Sequence, residues 1–186
     1  MKRLNLWTIA TALALLPSAV MATSVVAETI EELSRAAPIV VRGTVRQVQT
    51  QFDERFGEIN TYADVQVTEV IKGATTITSV LVKSPGGEIN GRGQRVAGAA
   101  RFIAGQDTVL FMQPAVDESG VFIVRSLAAG KVDFERTAKG QLQAVRHLEG
   151  LAFFAGRAGT VQPQQELGTA DAFLNRVRQV LRGGAR

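Results

Sequence analysis

The sequence contains no cysteine and only one histidine among its 186 residues. The lack of cysteine excludes disulfides, thiolate metal sites, a cysteine nucleophile and the acylated cysteine of a lipoprotein. His147 is the one imidazole and no His-Glu-x-x-His pattern occurs, so a zinc site would need carboxylates for most of its ligands. No Asn-x-Ser/Thr acceptor is present either, so nothing indicates a eukaryotic glycoprotein. We therefore expect no metal and no cofactor.

The excess of positive over negative charge is also small, and aromatic residues make up only 6% of the chain. Without Lys2 and Arg3, 19 basic residues face 17 acidic ones, a net charge of +2. So small an excess does not favour nucleic acid as a partner. The 46% of hydrophobic residues exclude disordered and collagen-like classes, and the length suits one globular domain and not two.

The N-terminus has the three-part plan of a secretory signal peptide. Met1-Lys2-Arg3 is followed by no charged residue from Leu4 to Ala27, with an apolar centre at Ile9–Leu16. We predict cleavage between Ala27 and Glu28, with an earlier site after Ala22 as the alternative. Residues 1–27 are thus the predicted signal peptide, although an uncleaved anchor is also open because 24 uncharged residues could span a bilayer.

The predicted mature protein is a soluble bacterial product in the periplasm or outside the cell, with no membrane contact after cleavage. It has to fold without disulfides, which its length permits.

The mature chain is patterned as a mainly β protein with helices at its ends. Thr29 and Glu32 form a capping box that predicts a two-turn helix ending before Pro38. Runs rich in β-branched residues, and alternating runs, then predict strands. These runs are Ile39–Val48, Ile59–Val67, Ile77–Lys83, Asp107–Met112, Val121–Val124 and a last hairpin of Lys131–Glu135 with Gln141–Val145. Short turns between strands favour a small antiparallel β-barrel over residues 28–146.

Residues 147–186 differ from the barrel segment. They are expected to form a connector and a C-terminal amphipathic helix capped by Thr169. Its apolar stripe predicts a helix packed on the sheet, with a partner-binding or membrane-surface helix as the alternative. The stripe consists of Phe173, Leu174, Val177, Val180 and Leu181.

Residues typical of catalysis are few. No Gly-x-Ser-x-Gly elbow occurs, and no serine has a histidine near it in sequence. His147 is interpreted as a structural or surface residue. Two acidic pairs, Asp53 with Glu54 and Asp117 with Glu118, lie in predicted turns, where solvated polar residues are the default. A carboxylate-only enzyme would need such acids to converge in one pocket.

The segment from Ser84 to Phe102 stands apart because it holds five glycines and three arginines. Glycines permit positive φ and close backbone approach, and guanidiniums bind carboxylate, phosphate or sulfate. The phosphate-loop and dinucleotide patterns both fail here. We therefore predict either an anion-binding loop, or a plain connection with Val96 and Phe102 in the core. The candidate binding residues are Gly91, Arg92, Gly93, Arg95 and Arg101.

Several motifs give the chain a resemblance to known proteins. They are Ala36-Ala37-Pro38-Ile39-Val40-Val41-Arg42-Gly43-Thr44-Val45, Tyr62-x-Asp64-Val65-x-Val67-x-Glu69-Val70-Ile71-Lys72-Gly73, Pro85-Gly86-Gly87 and Gly98-x-x-Arg101-Phe102-x-x-Gly105-x-Asp107-x-Val109-Leu110-Phe111. Over roughly residues 29–127 the chain resembles a family of uncharacterised secreted bacterial proteins. Its first half is also similar to the inhibitory domain of tissue inhibitors of metalloproteinases, a netrin-like OB-fold.

The resemblance implies a fold and not the inhibitory mechanism. Those inhibitors present an N-terminal cysteine to the protease zinc, whereas this mature chain is expected to begin at Glu28 and has no cysteine. What it implies is a closed or nearly closed five-stranded barrel with added C-terminal strands and a helix.

Together these features predict an exported, non-catalytic binding module whose ligand is an anionic glycan or a protein surface. The alternative function is an inhibitor or accessory protein of a secreted protease.

Overall fold

The computed structural model describes residues 23–154 and 165–183. Most of the predicted signal peptide and the middle of the predicted connector lie outside these residues. The elements are β1 Thr23–Val26, α1 Ile30–Ala36, β2 Ile39–Asp53, β3 Glu58–Lys72, β4 Ser79–Pro85, β5 Gly87–Ile89, β6 Arg92–Gln94, β7 Asp107–Pro114, β8 Val121–Val124, β9 Lys131–Arg136, β10 Leu142–Val145, β11 Leu151–Phe154, β12 Glu166–Thr169 and α2 Ala170–Gly183.

Helix α1 begins at the predicted capping box. The Thr29 hydroxyl accepts a hydrogen bond from the Glu32 amide at 3.1 Å, and the Glu32 carboxylate accepts one from the Thr29 amide at 2.8 Å. Two amides that the first helical turn leaves without a partner are thereby bonded. The helix ends before Pro38, as predicted.

Eight strands form one sheet in the order β12-β10-β9-β7-β2-β3-β4-β8, and β8 also pairs with β7. This second pairing of β8 joins five strands (β7, β2, β3, β4 and β8) in a partial ring. The mainly β prediction is therefore confirmed, but the expectation of a purely antiparallel sheet is wrong. Strand β8 follows β7 in the chain and pairs antiparallel with it. On its other edge β8 pairs with β4, and these two strands run parallel.

Two apolar cores lie on opposite faces of β2 and β7. Inside the partial ring, Val41 and Leu110 pack among other aliphatic side chains. On the outer side, their chain neighbours Val40 and Val109 pack against the two helices. Because successive side chains of a strand point to opposite faces, strands buried on both faces have continuous apolar runs. This accounts for the unbroken Thr108–Met112 stretch of buried residues in β7.

Helix α2 lies against the sheet with its apolar stripe inward. Phe173, Leu174 and Val177 are buried in the outer core beside residues of α1. The Thr169 hydroxyl accepts a hydrogen bond from the Ala172 amide at 3.3 Å, as expected of the helix cap. Within residues 23–154 and 165–183, neither helix has the length and apolarity needed to cross a bilayer.

Strands β1 and β11 form a separate parallel pair. β1 falls within the segment predicted to be removed with the signal peptide, and it makes no pairing with the large sheet. Cleavage after Ala27 would therefore remove β1 and leave the eight-stranded sheet intact.

Gly43 lies at a close approach of β2 and β3. A Cβ atom at this position would lie 2.5 Å from the carbonyl oxygen of Gln66 and 2.8 Å from a methyl carbon of Val65. The Gly43→Ala variant is expected to lose about 1–3 kcal/mol of unfolding free energy, because the backbone of a central strand pair must shift. Urea denaturation followed by circular dichroism measures this loss.

The matched control for this substitution is Gly93→Ala. No heavy atom lies within 4 Å of the added methyl group at that position, so its stability should stay within about 0.5 kcal/mol of the wild type. Equal stability of the two variants would contradict the close approach at Gly43.

Candidate functional site

Hydrogen bonds hold the glycine- and arginine-rich segment against the first residues of β3. The Gln94 side-chain oxygen accepts a hydrogen bond from the Ile59 amide at 2.6 Å. The Gly86 amide donates to the Ile59 carbonyl at 2.7 Å, and the Thr61 hydroxyl donates to the Gly86 carbonyl at 2.7 Å. The segment is thus held at both ends of its β5–β6 hairpin.

The hairpin itself was missed by the sequence analysis, which expected a connection without strands. Asn90 and Gly91 form its turn, with φ of 50° and 72°. An Asn-Gly pair between two short runs is the usual sequence of a tight hairpin turn and could have indicated it. Gly91 therefore serves the turn, and Gly93 lies in β6, where an added Cβ atom would have open space around it.

The three candidate arginines all lie exposed on this segment or just beyond it. The Arg92 guanidinium lies over the Phe52 ring at 5.4 Å from its centroid. In the described part of the chain, Arg95 and Arg101 make no hydrogen bond or ion pair. Val96 is half-buried and Phe102 is buried in the inner core, so the segment also has the structural role that the alternative interpretation gave it.

A cleft of about 300 Å³ lies between the β2–β3 turn and the β7–β8 turn. Its lining includes both acidic pairs that the sequence placed in turns, together with Phe52, Phe56 and Tyr62. Distant segments thus bring the four acids to one cleft.

The acids of the β7–β8 turn are already bonded. Lys83 donates to Asp117 at 2.7 Å, and the Tyr62 hydroxyl donates to Glu118 at 2.9 Å. The bond from Lys83 lowers the pKa of Asp117 and, in return, raises the pKa of Lys83. A general acid at neutral pH needs a carboxyl pKa raised towards 7. The lowered pKa of Asp117 therefore does not suit this carboxyl to act as a general acid.

A second cleft of about 370 Å³ continues across the outer face of β2, β3 and β4. It shares Gln51, Tyr62 and Glu118 with the first cleft. Cross-strand pairing arranges this face in rows, which are Gln47–Asp64–Leu81 and Gln49–Tyr62–Lys83. We call the two clefts together the outer groove.

Exposed apolar side chains gather at the outer groove. In the described ranges, four of the exposed large hydrophobic side chains line this groove or adjoin its turns. They are Phe52, Phe56, Leu81 and Val116. Clustered apolar exposure beside a polar groove is typical of interaction surfaces.

A different cluster surrounds the histidine. His147 Nε2 lies 2.8 Å from a Glu135 oxygen and 3.7 Å from Asp133. Asp133 is bonded to the buried Lys131, whose pKa is lowered by burial and raised in part by Asp133. Among the residues described, no group of three or more His, Cys, Asp or Glu could hold a metal ion. This cluster adjoins no cleft described above, and a structural role accounts for it.

No protein-family model matches the chain, and no curated protein matches it either. The resemblance to netrin-like and secreted bacterial proteins therefore stays a prediction.

Proposed function

We propose that the protein is an exported, non-catalytic binding module that holds an anionic group on Arg92, Arg95 and Arg101. One observation carries the proposal: three exposed arginines, none with a carboxylate partner within the described residues, follow one another within ten positions of one anchored segment. Four arginines elsewhere pair with carboxylates, as Arg42–Asp107, Arg125–Glu28, Arg176–Glu31 and Arg178–Glu69, whereas exposed arginines such as Arg35 and Arg182 form no ion pair in the described residues but lie far apart in the sequence. Exposed guanidiniums on an anchored hairpin and on the chain that follows it remain available for an external anion.

The fold that we propose is a small barrel of the netrin-like OB type. Its support is the partial ring of five strands around an apolar interior. Closure of a sheet removes exposed strand edges, which suits an exported domain without disulfides. Residues 28–146 would form the barrel, and the remainder would form the connector and helix.

An anionic glycan suits the surroundings of these arginines better than a protein surface does. Phe52, beneath Arg92, also lines the outer groove. Arg92 therefore adjoins the outer groove, which could hold the neighbouring sugars of a charged chain.

The test is a variant with Arg92, Arg95 and Arg101 all replaced by alanine. We expect it to bind sulfated or uronic-acid hexasaccharides at least tenfold more weakly, about 1.4 kcal/mol, because three charge-assisted hydrogen bonds are lost. Titration calorimetry at two salt concentrations measures the loss, and wild-type binding should weaken as salt rises.

The control removes the same charge elsewhere, with Arg35, Lys139 and Arg182, all exposed, replaced by alanine. It should bind as the wild type does. Unchanged binding by the Arg92, Arg95 and Arg101 variant would contradict the proposal. If the wild-type protein binds none of these glycans but inhibits a secreted metalloprotease, the alternative function is favoured.

A further inference from the structure

We infer that the outer groove binds an uncharged, hydroxyl-rich stretch of a glycan chain. The inference rests on the proposed function in one respect, because the same glycan would carry its acidic groups to the arginines. It is argued from a different set of side chains, and its test separates the two.

The first argument is the unused hydrogen-bonding capacity of β2. Gln47, Gln49 and Gln51 lie exposed at alternate positions of this strand, so all three amides stand on the outer face. None of them bonds to another side chain or backbone group in the described residues. By contrast, Gln66 and Gln94 are bonded within the fold. Each free amide can donate two hydrogen bonds and accept others, which matches sugar hydroxyls.

The second argument is the fixed aromatic ring at the centre of this face. Tyr62 lies between Gln49 and Lys83 in one cross-strand row. Its hydroxyl donates to Glu118 at 2.9 Å, which holds the ring in place from the β7–β8 turn. A half-buried ring fixed before binding offers an apolar face at little cost in conformational entropy.

The third argument is the local balance of charge. Lys83 lies 2.7 Å from Asp117 and 3.6 Å from Glu118, so one cation lies between two carboxylates. Carboxylates on the same face oppose a polyanion such as nucleic acid. Asp53, Glu54 and Asp64 line the groove as well, so carboxylates outnumber cations there. A neutral sugar is not repelled by these carboxylates, and the basic peptide in the test distinguishes it from a cationic ligand.

The dimensions also fit a short oligosaccharide. Gln47 and Gln51 are four residues apart, about 14 Å at roughly 3.4 Å per strand residue. The groove volumes of about 300 and 370 Å³ lie within the range of ordinary ligand sites, about 300–1,000 Å³. One end of the groove reaches Phe52 and hence Arg92. A chain along β2 could therefore contact both sites.

The experiment compares a variant with Gln47, Gln49 and Gln51 replaced by alanine with the wild type. The probes are neutral hexasaccharides of glucose, mannose and N-acetylglucosamine, together with the acidic hexasaccharides used above. We expect at least tenfold weaker binding of both the neutral and the acidic probes that the wild type binds. A variant with Gln141, Gln165 and Gln179 replaced by alanine is the matched control, since these are exposed glutamines elsewhere. Circular dichroism and Tm check that each variant folds.

The outcomes separate the two proposals. Loss of neutral binding in the groove variant, with acidic binding unaffected in the arginine variant, supports the groove and overturns the anion site. Acidic binding that depends on the arginines and is unchanged in the groove variant overturns the inference alone. Equal neutral binding by the wild type and the groove variant also overturns it. If the wild type binds none of the hexasaccharides, or binds only a basic peptide at the groove, the glycan inference is overturned.

Discussion

Replacing Phe173 with alanine is expected to lower the free energy of unfolding by about 3–5 kcal/mol. Phe173 is fully buried in the outer core, where α1, α2 and the sheet meet. Its ring also contacts Phe134 edge to face, with centroids 6.2 Å apart and planes at 78°. Truncation would remove this contact and leave a cavity that neighbouring strands and helices cannot close.

Urea denaturation measures this effect, with Phe56→Ala as the matched control. Phe56 has 58% of its surface exposed, so the same truncation there should change stability by no more than about 0.5 kcal/mol. If Phe173→Ala unfolded at the same urea concentration as Phe56→Ala, α2 would not pack on the sheet as described. The glycan assays can then be run on Phe56→Ala to ask whether this ring contributes to the outer groove.

Replacing Asp133 with leucine is expected to cost about 3–5 kcal/mol, because it leaves a buried cation without its partner. Lys131 and Asp133 are 4% and 1% exposed, and Lys131 Nζ lies 2.5 Å from the carboxylate. Burial lowers the pKa of Lys131, and Asp133, with a smaller contribution from Glu135, opposes this by stabilising the charged form. Gln106 contacts both groups but carries no charge to replace the carboxylate.

A double variant, Asp133→Leu with Lys131→Met, distinguishes this explanation from a simple loss of packing. Replacing a whole buried ion pair with apolar residues of similar size is often neutral, so the double variant should recover most of the lost stability. Chemical denaturation of the two single variants and the double variant completes the cycle. A double variant as unstable as Asp133→Leu would show that the unpaired charge is not the cause.

The pH dependence of the wild type has a defined sign for Lys131. Its folded-state pKa is lowered below the unfolded value, so within that interval the unfolded chain binds the proton more tightly. The contribution of Lys131 to stability therefore rises as pH increases through that alkaline interval. Relative to the double variant, the wild type should gain stability there.

The sequence predicted correctly those features that depend on residues close together in the chain. Thr29 and Glu32 lie three positions apart and fixed the start of α1. Val121–Val124 was bounded correctly because a Ser-Gly turn directly precedes it. The apolar stripe of α2 likewise predicted which of its faces is buried.

Pairings between distant segments were not predictable in this way. The bond between Tyr62 and Glu118 joins residues 56 positions apart, and the parallel pairing of β4 with β8 depends on the route of the chain between them. The outer groove arises from those pairings. Strand β2 also continues to Asp53, beyond its predicted end at Val48, because its outward residues there are polar and gave no apolar signal.

The burial of β2 and β7 on both faces has a consequence for how the protein unfolds. Val40 and Val41 belong to different cores, as do Val109 and Leu110. Detaching the helices would strip one face of the same two strands whose other face fills the partial ring. The two cores cannot melt independently, so amide hydrogens of β2 and β7 should exchange only through a global opening, in one cooperative transition.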